Sequence, residues 1–428
     1  MNSLTARRAV WYWNKNGKPG RMPFPNPPRA FEHKFVPDFQ KLQQNRDAIV
    51  RSCQLRGDKQ ADVNKVMQLH DRWTTLDAEI QKQTTARMKS ASVDEAREVK
   101  VKINALTAEH KETETELIQE ASKIPNEIHP DAPESTPRLV YTSNHPISND
   151  VVDHITLGKE LDLFDLQQCA SVTGDKFVYL KNEASVLELA LIHWSVNFLI
   201  ERGFTVVSPP DLIRQRVATA CGFSPKDSDL CLTGTAEIPL TALYANRIIP
   251  DEIMPIKMVG FSHCFRMEPP SNTNKGIYRL HQFSKVEMVM ICKPEESERR
   301  HQEMLEIQKE MVEQLDIPYQ VLDMPVHDLG ATACRKYDIE AWMPHRKGYG
   351  EITSLSNCLD YQSRRLGIKY RYESKPHEEF YAHTLNGTAV AVPRVLCAIL
   401  ENCQSEGKIH IPKALHPHSM GLKEIVFK

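Results

Sequence analysis

The sequence predicts an α+β protein, in which an antiparallel sheet is flanked by helices and preceded by an antiparallel coiled-coil helical arm. Three observations lead to this prediction. Residues 40–124 are polar, poor in Gly and Pro, and carry apolar side chains at steps of three and four. From residue 140 onward, helical and strand-like patterns do not alternate regularly, which favours an antiparallel sheet. The GxGxxG and GxxxxGK motifs are both absent, which disfavours the doubly wound and P-loop nucleotide folds.

Length and composition limit the class of protein. A chain of 428 residues predicts more than one domain, and we divide it into an extension (1–30), a helical arm (31–130) and a C-terminal domain (131–428). The net charge of -2 means that any contact with nucleic acid must come from local basic patches. No apolar run approaches the roughly 20 residues that cross a bilayer, so no membrane partner is predicted. The ten cysteines form no CxxC pair, so reduced thiols are favoured over a zinc site or disulfides.

The first thirty residues are basic and contain an aromatic cluster, Trp11-Tyr12-Trp13. No Asp or Glu occurs before Glu32. A short acid-free segment with several Arg residues is typical of an organelle transit peptide, which predicts a mitochondrial matrix location. A basic arm that contacts nucleic acid is the alternative.

The helical arm is predicted from two narrow apolar stripes. They comprise Val66, Leu69, Trp73, Leu76 and Ile80 in one half, and Val99, Ile103, Leu106, His110, Thr113 and Leu117 in the other. The polar stretch 84–92 predicts the hairpin tip, with Ser92 capping the second helix. Such an arm grips a long partner, dimerises the protein or acts as a spacer; His110 and Thr113 in the seam favour a lone projecting hairpin.

Two short runs, Phe265–Glu268 and Arg279–Glu287, alternate in polarity and are joined by a loop rich in Pro and Asn. They predict a hairpin with charges and an aromatic ring on one face. This combination suits a ligand with phosphate, a purine and an amine, although an exposed hairpin with solvated charges has the same pattern.

Three further segments carry polar groups suited to the same ligand. Glu351 and Ser354 are hard-oxygen ligands suited to Mg²⁺, but strict alternation does not place them on one face, and a polar strand edge is the alternative. In Asn386–Arg394, Arg394 begins a helix, where it meets an anion or merely caps the helix. Thr233–Glu237 offers acceptors for an ammonium group, or forms a simple turn.

These segments, in this order and at these spacings, resemble the TxE loop, motif 2 and motif 3 of seryl-tRNA synthetases, a class II family. The resemblance runs from the helical arm to the C-terminus and includes Pro209-Pro210 of a motif 1-like strand. It implies a class II antiparallel sheet, ATP-dependent ligation of serine to serine tRNA through a seryl-adenylate, the use of ATP and Mg²⁺, and a dimer, expected to be a homodimer with a paralogue heterodimer left open. A non-catalytic relative that binds RNA or a protein partner is the alternative, but the charged motif residues are all present.

The resemblance also implies residue roles. Arg266 and Arg394 are the catalytic residues, with Arg266 on the α-phosphate and the serine carboxylate. ATP is expected on Arg266, Met267, Glu268, Arg279, Phe283, Glu351, Ile352, Thr353, Ser354 and Arg394, with Phe283 stacked on adenine opposite Arg394 and Mg²⁺ on Glu351 and Ser354. Serine is expected on Thr235, Ala236, Glu237, Arg266, Glu287 and Thr388, with Lys285 in support.

The resemblance is weakest in the loop Pro269–Lys275. This loop is shorter than is usual in the family and keeps Lys275 as its one cation. Together with the basic extension and the short C-terminus, it resembles the animal mitochondrial branch. Lys275, and Arg87 and Lys89 at the arm tip, are the predicted tRNA contacts; for the two tip residues, solvated helix charges are the alternative.

Overall fold

The computed structural model describes residues 33–90, 92–148, 151–223, 229–269 and 276–427. The predicted extension 1–30 and the predicted tRNA contact Lys275 lie outside the described residues.

Four helices form the N-terminal region: α1 (Phe39–Gln44), α2 (Arg46–Leu55), α3 (Val63–Met88) and α4 (Val93–Ser122). Ion pairs join α3 to α4 at Lys65–Glu116, Arg72–Glu109 and Glu79–Lys102, so residue numbers rise along one helix as they fall along the other. The two helices are therefore antiparallel, as predicted. At 1.5 Å per residue, the 26-residue α3 is about 39 Å long.

The hairpin tip is shorter than predicted. Helix α3 continues through Thr84 and Thr85 to Met88, so Arg87 is helical and Lys89 caps the helix. The two Thr hydroxyls donate to the carbonyls of Ile80 and Gln81 four residues earlier, at 2.7 and 3.0 Å. This bonding satisfies both hydroxyls within the helix, so the helix continues through the two Thr residues. Ser92 caps α4 through the Glu95 amide, as predicted.

The central sheet has eight strands. In chain order they are β1 (Arg138–Thr142), β2 (Thr205–Val206), β3 (Ile256–Phe265), β4 (Gln282–Cys292), β5 (Tyr319–Asp323), β6 (Arg335–Met343), β7 (Gly348–Asn357) and β8 (His383–Ala391). Their order across the sheet is β1-β5-β6-β7-β8-β4-β3-β2, and only the β2–β3 pair is parallel. The predicted antiparallel sheet with flanking helices is confirmed.

The remaining elements surround this sheet. The helices are α5 (His154–Glu160), α6 (Leu166–Val172), α7 (Asn182–Ile200), α8 (Gln215–Ala220), α9 (Glu237–Ala242), α10 (Ser297–Glu313), α11 (Tyr361–Leu366) and α12 (Val392–Asn402). Short 3₁₀ helices lie at Asp251–Ile253, Pro294–Glu296, Val326–Asp328 and Lys413–Leu415. Small sheets pair Phe164–Asp165 with Tyr179–Leu180, Leu212–Arg214 with Leu230–Leu232, Ile368–Arg371 with Arg247–Pro250 and Phe380–Tyr381, and Lys408–His410 with Gln404–Ser405 and Glu424–Val426.

The largest core lies between the central sheet and helices α7, α10 and α12. Helix α7 is the one described helix that is long and apolar enough to cross a membrane, by length and composition alone. The sequence shows no unbroken apolar run here, because Glu183 and Glu188 interrupt the apolar residues of the helix. Leu187, Leu191 and Trp194 of α7 are buried in this core. This burial accounts for the helix as part of the protein interior.

Candidate active site

The predicted hairpin is present, but its strands are shifted. Strands β3 and β4 pair from Ile256–Ile291 to Phe265–Gln282, so Arg266–Glu268 and Arg279 lie in the connecting segment. The Arg266 amide still bonds the His281 carbonyl at 2.9 Å, whereas the His281 amide donates to Lys176 O at 2.9 Å. The regular ladder therefore ends at Phe265, and the predicted extension of both strands is wrong.

The connecting segment places its charged groups close together. Arg279 Nη1 lies 3.3 Å from Glu268 Oε2, and Arg266 Nε donates to Gly234 O at 3.2 Å. The Arg266 guanidinium lies 5.5 Å from the centroid of the Phe283 ring. Met267, in contrast, is 86% exposed. The segment thus brings together an arginine, an aromatic ring and an acid–arginine pair, next to the loop that contains Gly234.

A buried polar cluster includes two residues of β4, Lys285 and Glu287, which lie on the same face of the strand as Phe283. Lys285 and Glu287 are two residues apart on this strand and form an ion pair. Lys285 Nζ donates to Thr235 Oγ1 at 2.7 Å, and Thr388, directly opposite Glu287 on β8, donates to Glu287 Oε2 at 3.3 Å. The fifth member, Glu237, begins helix α9. All five are at most 7% exposed.

Glu237 is the acid with the most perturbed pKa in this cluster. Burial, together with the charge of Glu287, raises the pKa of Glu237 to about 7, although Lys285 acts in the opposite direction. Two carboxylates thus lie close to one buried lysine, and the exposed Arg266 is the other positive charge that acts on Glu237. A small ligand with an ammonium group would place a second positive charge inside the buried cluster.

A β-bulge resolves the position of Glu351 and Ser354. Ile339 of β6 pairs with Thr353, and its neighbour Glu340 pairs with Glu351, so Ile352 is an extra residue in β7. An extra residue shifts the side-chain alternation by one, which places Glu351 and Ser354 on the same face. Strict alternation, the basis of the sequence reasoning, does not hold at this point.

The side chains of Ile352 and Thr353 are directed away from that face. Ile352 is fully buried in the main core, and Thr353 Oγ1 accepts a hydrogen bond from Gln308 of α10 at 2.6 Å. A ligand on the Glu351 face can therefore contact the backbone of Ile352 and Thr353, but not their side chains. Gln308 also donates to Ser354 O and Thr388 O, at 3.0 and 2.7 Å, just beyond the last paired residues of β7 and β8. It therefore bridges the opening between the two strands.

Arg394 lies in the first turn of α12, two residues after the helix begins, and contacts Glu351. Its Nη1 atom lies 3.1 Å from Glu351 Oε2 and 3.2 Å from the Glu351 carbonyl. Burial opposes the ionisation of Glu351, but Arg394 and Lys336 outweigh it and hold its pKa below the usual value. The arginine is thus tied to the candidate metal ligand, which favours the anion-site reading over simple capping.

Tyr278 is a residue of this region that the sequence reasoning missed. Its ring lies 5.2 Å from the Arg394 guanidinium and 5.4 Å from that of Arg346, and its hydroxyl donates to the Glu351 carbonyl at 2.8 Å. In this structure Arg394 covers Tyr278, and Arg266 lies near Phe283. Its neighbour Arg279 was predicted to bind ATP. Tyr278 itself was not predicted, because no local sequence pattern shows that a tyrosine packs on a distant arginine.

The face with Glu351 and Ser354 also carries Asp338, directly opposite Ser354 on β6. Asp338 Oδ2 pairs with Lys336 at 2.9 Å, whereas its Oδ1 atom is buried without a hydrogen-bond partner. Carboxylate and hydroxyl oxygens on one face fit the hard ligands that Mg²⁺ prefers. Among the described residues, no three His, Cys, Asp or Glu side chains already lie in metal-binding geometry. The oxygen ligands on this face therefore fit Mg²⁺. In this structure the Glu351 carboxylate contacts Arg394.

Comparison with known proteins points to one family. Residues 219–403 match the family model described as the tRNA synthetase class II core domain (G, H, P, S and T). The serine–tRNA ligase of Rubrobacter xylanophilus is 39% identical over 89% of this chain and 97% of its own length. That of Borreliella afzelii is 40% identical over 91% of this chain and 99% of its own length. Among solved structures, Pyrococcus horikoshii seryl-tRNA synthetase in complex with ATP is similar with a TM-score of 0.87 and 32% identity, covering 92% of this chain and all of the other.

Proposed function

The chain belongs to the seryl-tRNA synthetase family, and from this premise we propose that it ligates serine to serine tRNA at the expense of ATP, through a seryl-adenylate. The observation that carries the proposal is the buried cluster of Glu237, Glu287, Lys285 and Thr388 beside Arg266. This cluster binds a small amino acid, and the adjoining arginines bind a triphosphate.

The reaction begins when the serine carboxylate attacks the α-phosphorus of ATP and pyrophosphate leaves. Arg266 is positioned by the Gly234 carbonyl to reach both the carboxylate and the α-phosphate, and Arg394 adds a second positive charge near Glu351. Charge stabilisation and alignment are sufficient for this step, so no protein nucleophile is required. The 3′-terminal hydroxyl of the tRNA then attacks the seryl carbonyl, and AMP leaves.

We propose that Glu351 and Ser354 hold Mg²⁺ with ATP. When bound, the ion supplies positive charge to the phosphate oxygens. Glu351 is paired with Arg394 in this structure, so binding of the ion by Glu351 would leave Arg394 to contact the nucleotide.

Selectivity for serine follows from the polar groups of the cluster. Thr388 and Glu287 would lose a hydrogen-bonding partner if alanine replaced serine, and a site built to pair a substrate hydroxyl rejects an analogue without it by up to about 10⁴-fold. Threonine has the hydroxyl and must be excluded by its additional methyl group.

The N-terminal helix pair supports a role in tRNA binding. We propose that α3 and α4 form a coiled-coil arm along the tRNA, with Arg87 and Lys89 exposed at its end. Replacing both with Gln is expected to raise KM for tRNA and weaken its salt dependence, while serine activation is unchanged. A double substitution of Lys159 and Lys423 by Gln, both exposed and outside the arm, is the matched control.

We further propose a homodimer that buries the edge of the central sheet at β2. Val206, Leu212 and Leu232 are 47, 55 and 52% exposed there, and the latter two are paired across one small sheet. Light scattering on a Leu212→Glu variant is expected to show a monomer. Leu139→Glu, on β1 at the opposite edge of the sheet, is expected to leave the dimer intact.

A mitochondrial matrix location is proposed from the basic, acid-free segment 1–30. Residues 1–30 fused to a fluorescent reporter are expected to direct it to mitochondria, and replacing Arg7, Arg8, Arg21 and Arg29 with Gln to abolish this. A cytosolic reporter in both cases would contradict the proposal.

Serine-dependent exchange of pyrophosphate into ATP tests the catalytic proposal directly. The purified chain is expected to catalyse exchange with serine but not with alanine or threonine, and then to charge serine tRNA. Absence of exchange, with ATP still bound in calorimetry, would favour the non-catalytic alternative.

A further inference from the structure

The Glu237 carboxylate is held by two buried amides. Gln362 Nε2 donates to Glu237 Oε1 at 2.6 Å, and Asn386 Nδ2 donates to the same oxygen at 3.0 Å. Because both bonds end on Oε1, the hydrogen-bonding capacity of Oε2 remains for another donor. The two amides thus determine which oxygen of Glu237 can meet a ligand.

The orientation of the Gln362 amide is determined by a third residue. Thr384 Oγ1 lies 2.7 Å from Gln362 Oε1, and a hydroxyl at that distance donates to the amide oxygen. The NH₂ group must therefore face Glu237. Gln362 and Thr384 are both fully buried, so solvent does not compete for these bonds.

Helix α11, which carries Gln362, is held from its other side by the N-terminal region. Arg365 lies 4.3 Å from the Phe35 ring and 3.5 Å from the Tyr361 ring, and it donates to Ser122 O at the end of α4 at 3.2 Å. Arg364 pairs with Asp38 at 2.8 Å. These contacts fix a helix of only six residues, and with it the Gln362 amide.

We propose that Gln362 is a positioning residue for the amino-acid substrate, which holds the Glu237 carboxylate so that Oε2 receives the substrate ammonium group. This inference rests on the proposed function, because it assigns the ammonium of serine to Glu237. Gln362 itself does not touch the substrate. Its loss therefore weakens serine binding while the ATP site, which depends on Arg266, Arg279 and Arg394, is retained.

The charged groups around Glu237 determine what a substitution of Gln362 changes. Glu287, Lys285 and Arg266 are the charged groups near its carboxylate. The thiols of Cys221 and Cys358 are also close, and burial raises the pKa of both, so they stay neutral. Gln362 is thus a neutral donor in a cluster that already holds two acids.

Two substitutions separate positioning from packing. Gln362→Met keeps the volume and removes the donor. Gln362→Glu keeps an acceptor for Thr384 and donates to Glu237 only while its own carboxyl is protonated. A hydrogen bond to a charged group is worth about 1.5–3 kcal/mol, so Gln362→Met is expected to raise KM for serine roughly 10- to 100-fold. For Gln362→Glu, the ratio of its serine KM to that of the unsubstituted chain is expected to increase with pH, because the substituted carboxyl loses the proton that it donates to Glu237.

The experiment measures KM for serine and for ATP in pyrophosphate exchange between pH 6 and pH 9, with ATP affinity by calorimetry as the check on folding. The control is Gln404→Met, which removes amide bonds to Val152 O and Leu400 O at 2.6 and 2.8 Å, at the end of α12. The expected result is a selective loss of serine affinity in the Gln362 variants alone.

A serine KM that is unchanged, or that rises no more than the ATP KM, would overturn the inference. If Gln362→Met does not fold, Gln362→Glu and its pH dependence decide the question. Failure of this inference is distinct from failure of the proposed function. If the unsubstituted chain shows no serine-dependent exchange, the proposed function is wrong. If the unsubstituted chain shows exchange and the Gln362 variants have the same serine KM, only the positioning role is wrong.

Discussion

Replacement of Glu287 by Gln tests the serine-site assignment most directly. Glu287 is 2% exposed, pairs with Lys285, and accepts a hydrogen bond from Thr388 at 3.3 Å. The substitution keeps the shape and an acceptor for Thr388, and it removes one negative charge. Lys285 is not left unpaired, because Glu237 is close enough to affect it electrostatically. The protein is therefore expected to fold.

The magnitude follows from the charge balance of the cluster. Glu237 and Glu287 are two acids beside Lys285, with the exposed Arg266 as the other nearby positive charge. Since Arg266 is expected on the serine carboxylate and the α-phosphate, the two acids remain for Lys285 and the substrate ammonium. Glu287→Gln leaves Glu237 alone to serve both. Removing one partner of a buried charge pair costs about 2–5 kcal/mol, which corresponds to roughly a 30- to 4,000-fold loss in kcat/KM for serine.

The assay is serine-dependent pyrophosphate exchange at fixed saturating ATP, with the ATP dissociation constant measured separately. Glu303→Gln is the matched control, since Glu303 also pairs with a lysine, Lys257, at 2.5 Å but lies on α10 outside the cluster. The control is expected to retain the original serine KM. An unaltered kcat/KM for serine in the Glu287 variant would refute the serine-site assignment.

Three further predictions concern charge, nucleotide binding and stability. Because the pKa of Glu237 is raised to about 7, KM for serine is expected to rise as the pH falls through 7; without serine, stability should decrease from about pH 4.5 to 7, since the folded chain then retains a proton that the unfolded chain has lost. A flat pH profile for both quantities would contradict this. Arg394→Lys is expected to raise KM for ATP roughly tenfold, because an ammonium lacks the planar pair of donors that a guanidinium offers to phosphate oxygens; an equal change for serine in exchange kinetics would argue against it. Gln308→Leu is expected to destabilise the fold by about 2–5 kcal/mol in urea unfolding, since it removes the amide that donates to the part-buried Ser354 carbonyl and the buried Thr388 carbonyl, and a cost below about 1 kcal/mol would show that water replaces the amide.

Much of the fold could be predicted from the sequence, because periodicity reports which side of an element is buried. The long stripes from Val66 and Val99 predicted α3 and α4, and the non-alternating pattern after residue 140 predicted the antiparallel sheet. Boundaries were less predictable. Thr84 and Thr85 have weak helix propensity, yet both lie within α3, with their hydroxyls bonded to carbonyls four residues earlier.

The charged residues of the candidate site could be selected from the sequence, because their motifs resemble those of one family. Their neighbours could not. Gln308, Tyr278 and Gln362 are ordinary residues in their own segments, and they become important only where α10, the connecting segment and α11 meet the sheet. No local pattern reports such distant contacts.

The sequence by itself determined the family, the helix pair, the sheet and which charged residues are the candidates to meet serine and ATP. The tertiary structure alone decided which of them share a face. Ile352 bulges from β7 because its partner strand has one residue fewer, and this brings Glu351 and Ser354 together. A register shift depends on two strands that are paired in space, so neither strand's own alternation can reveal it.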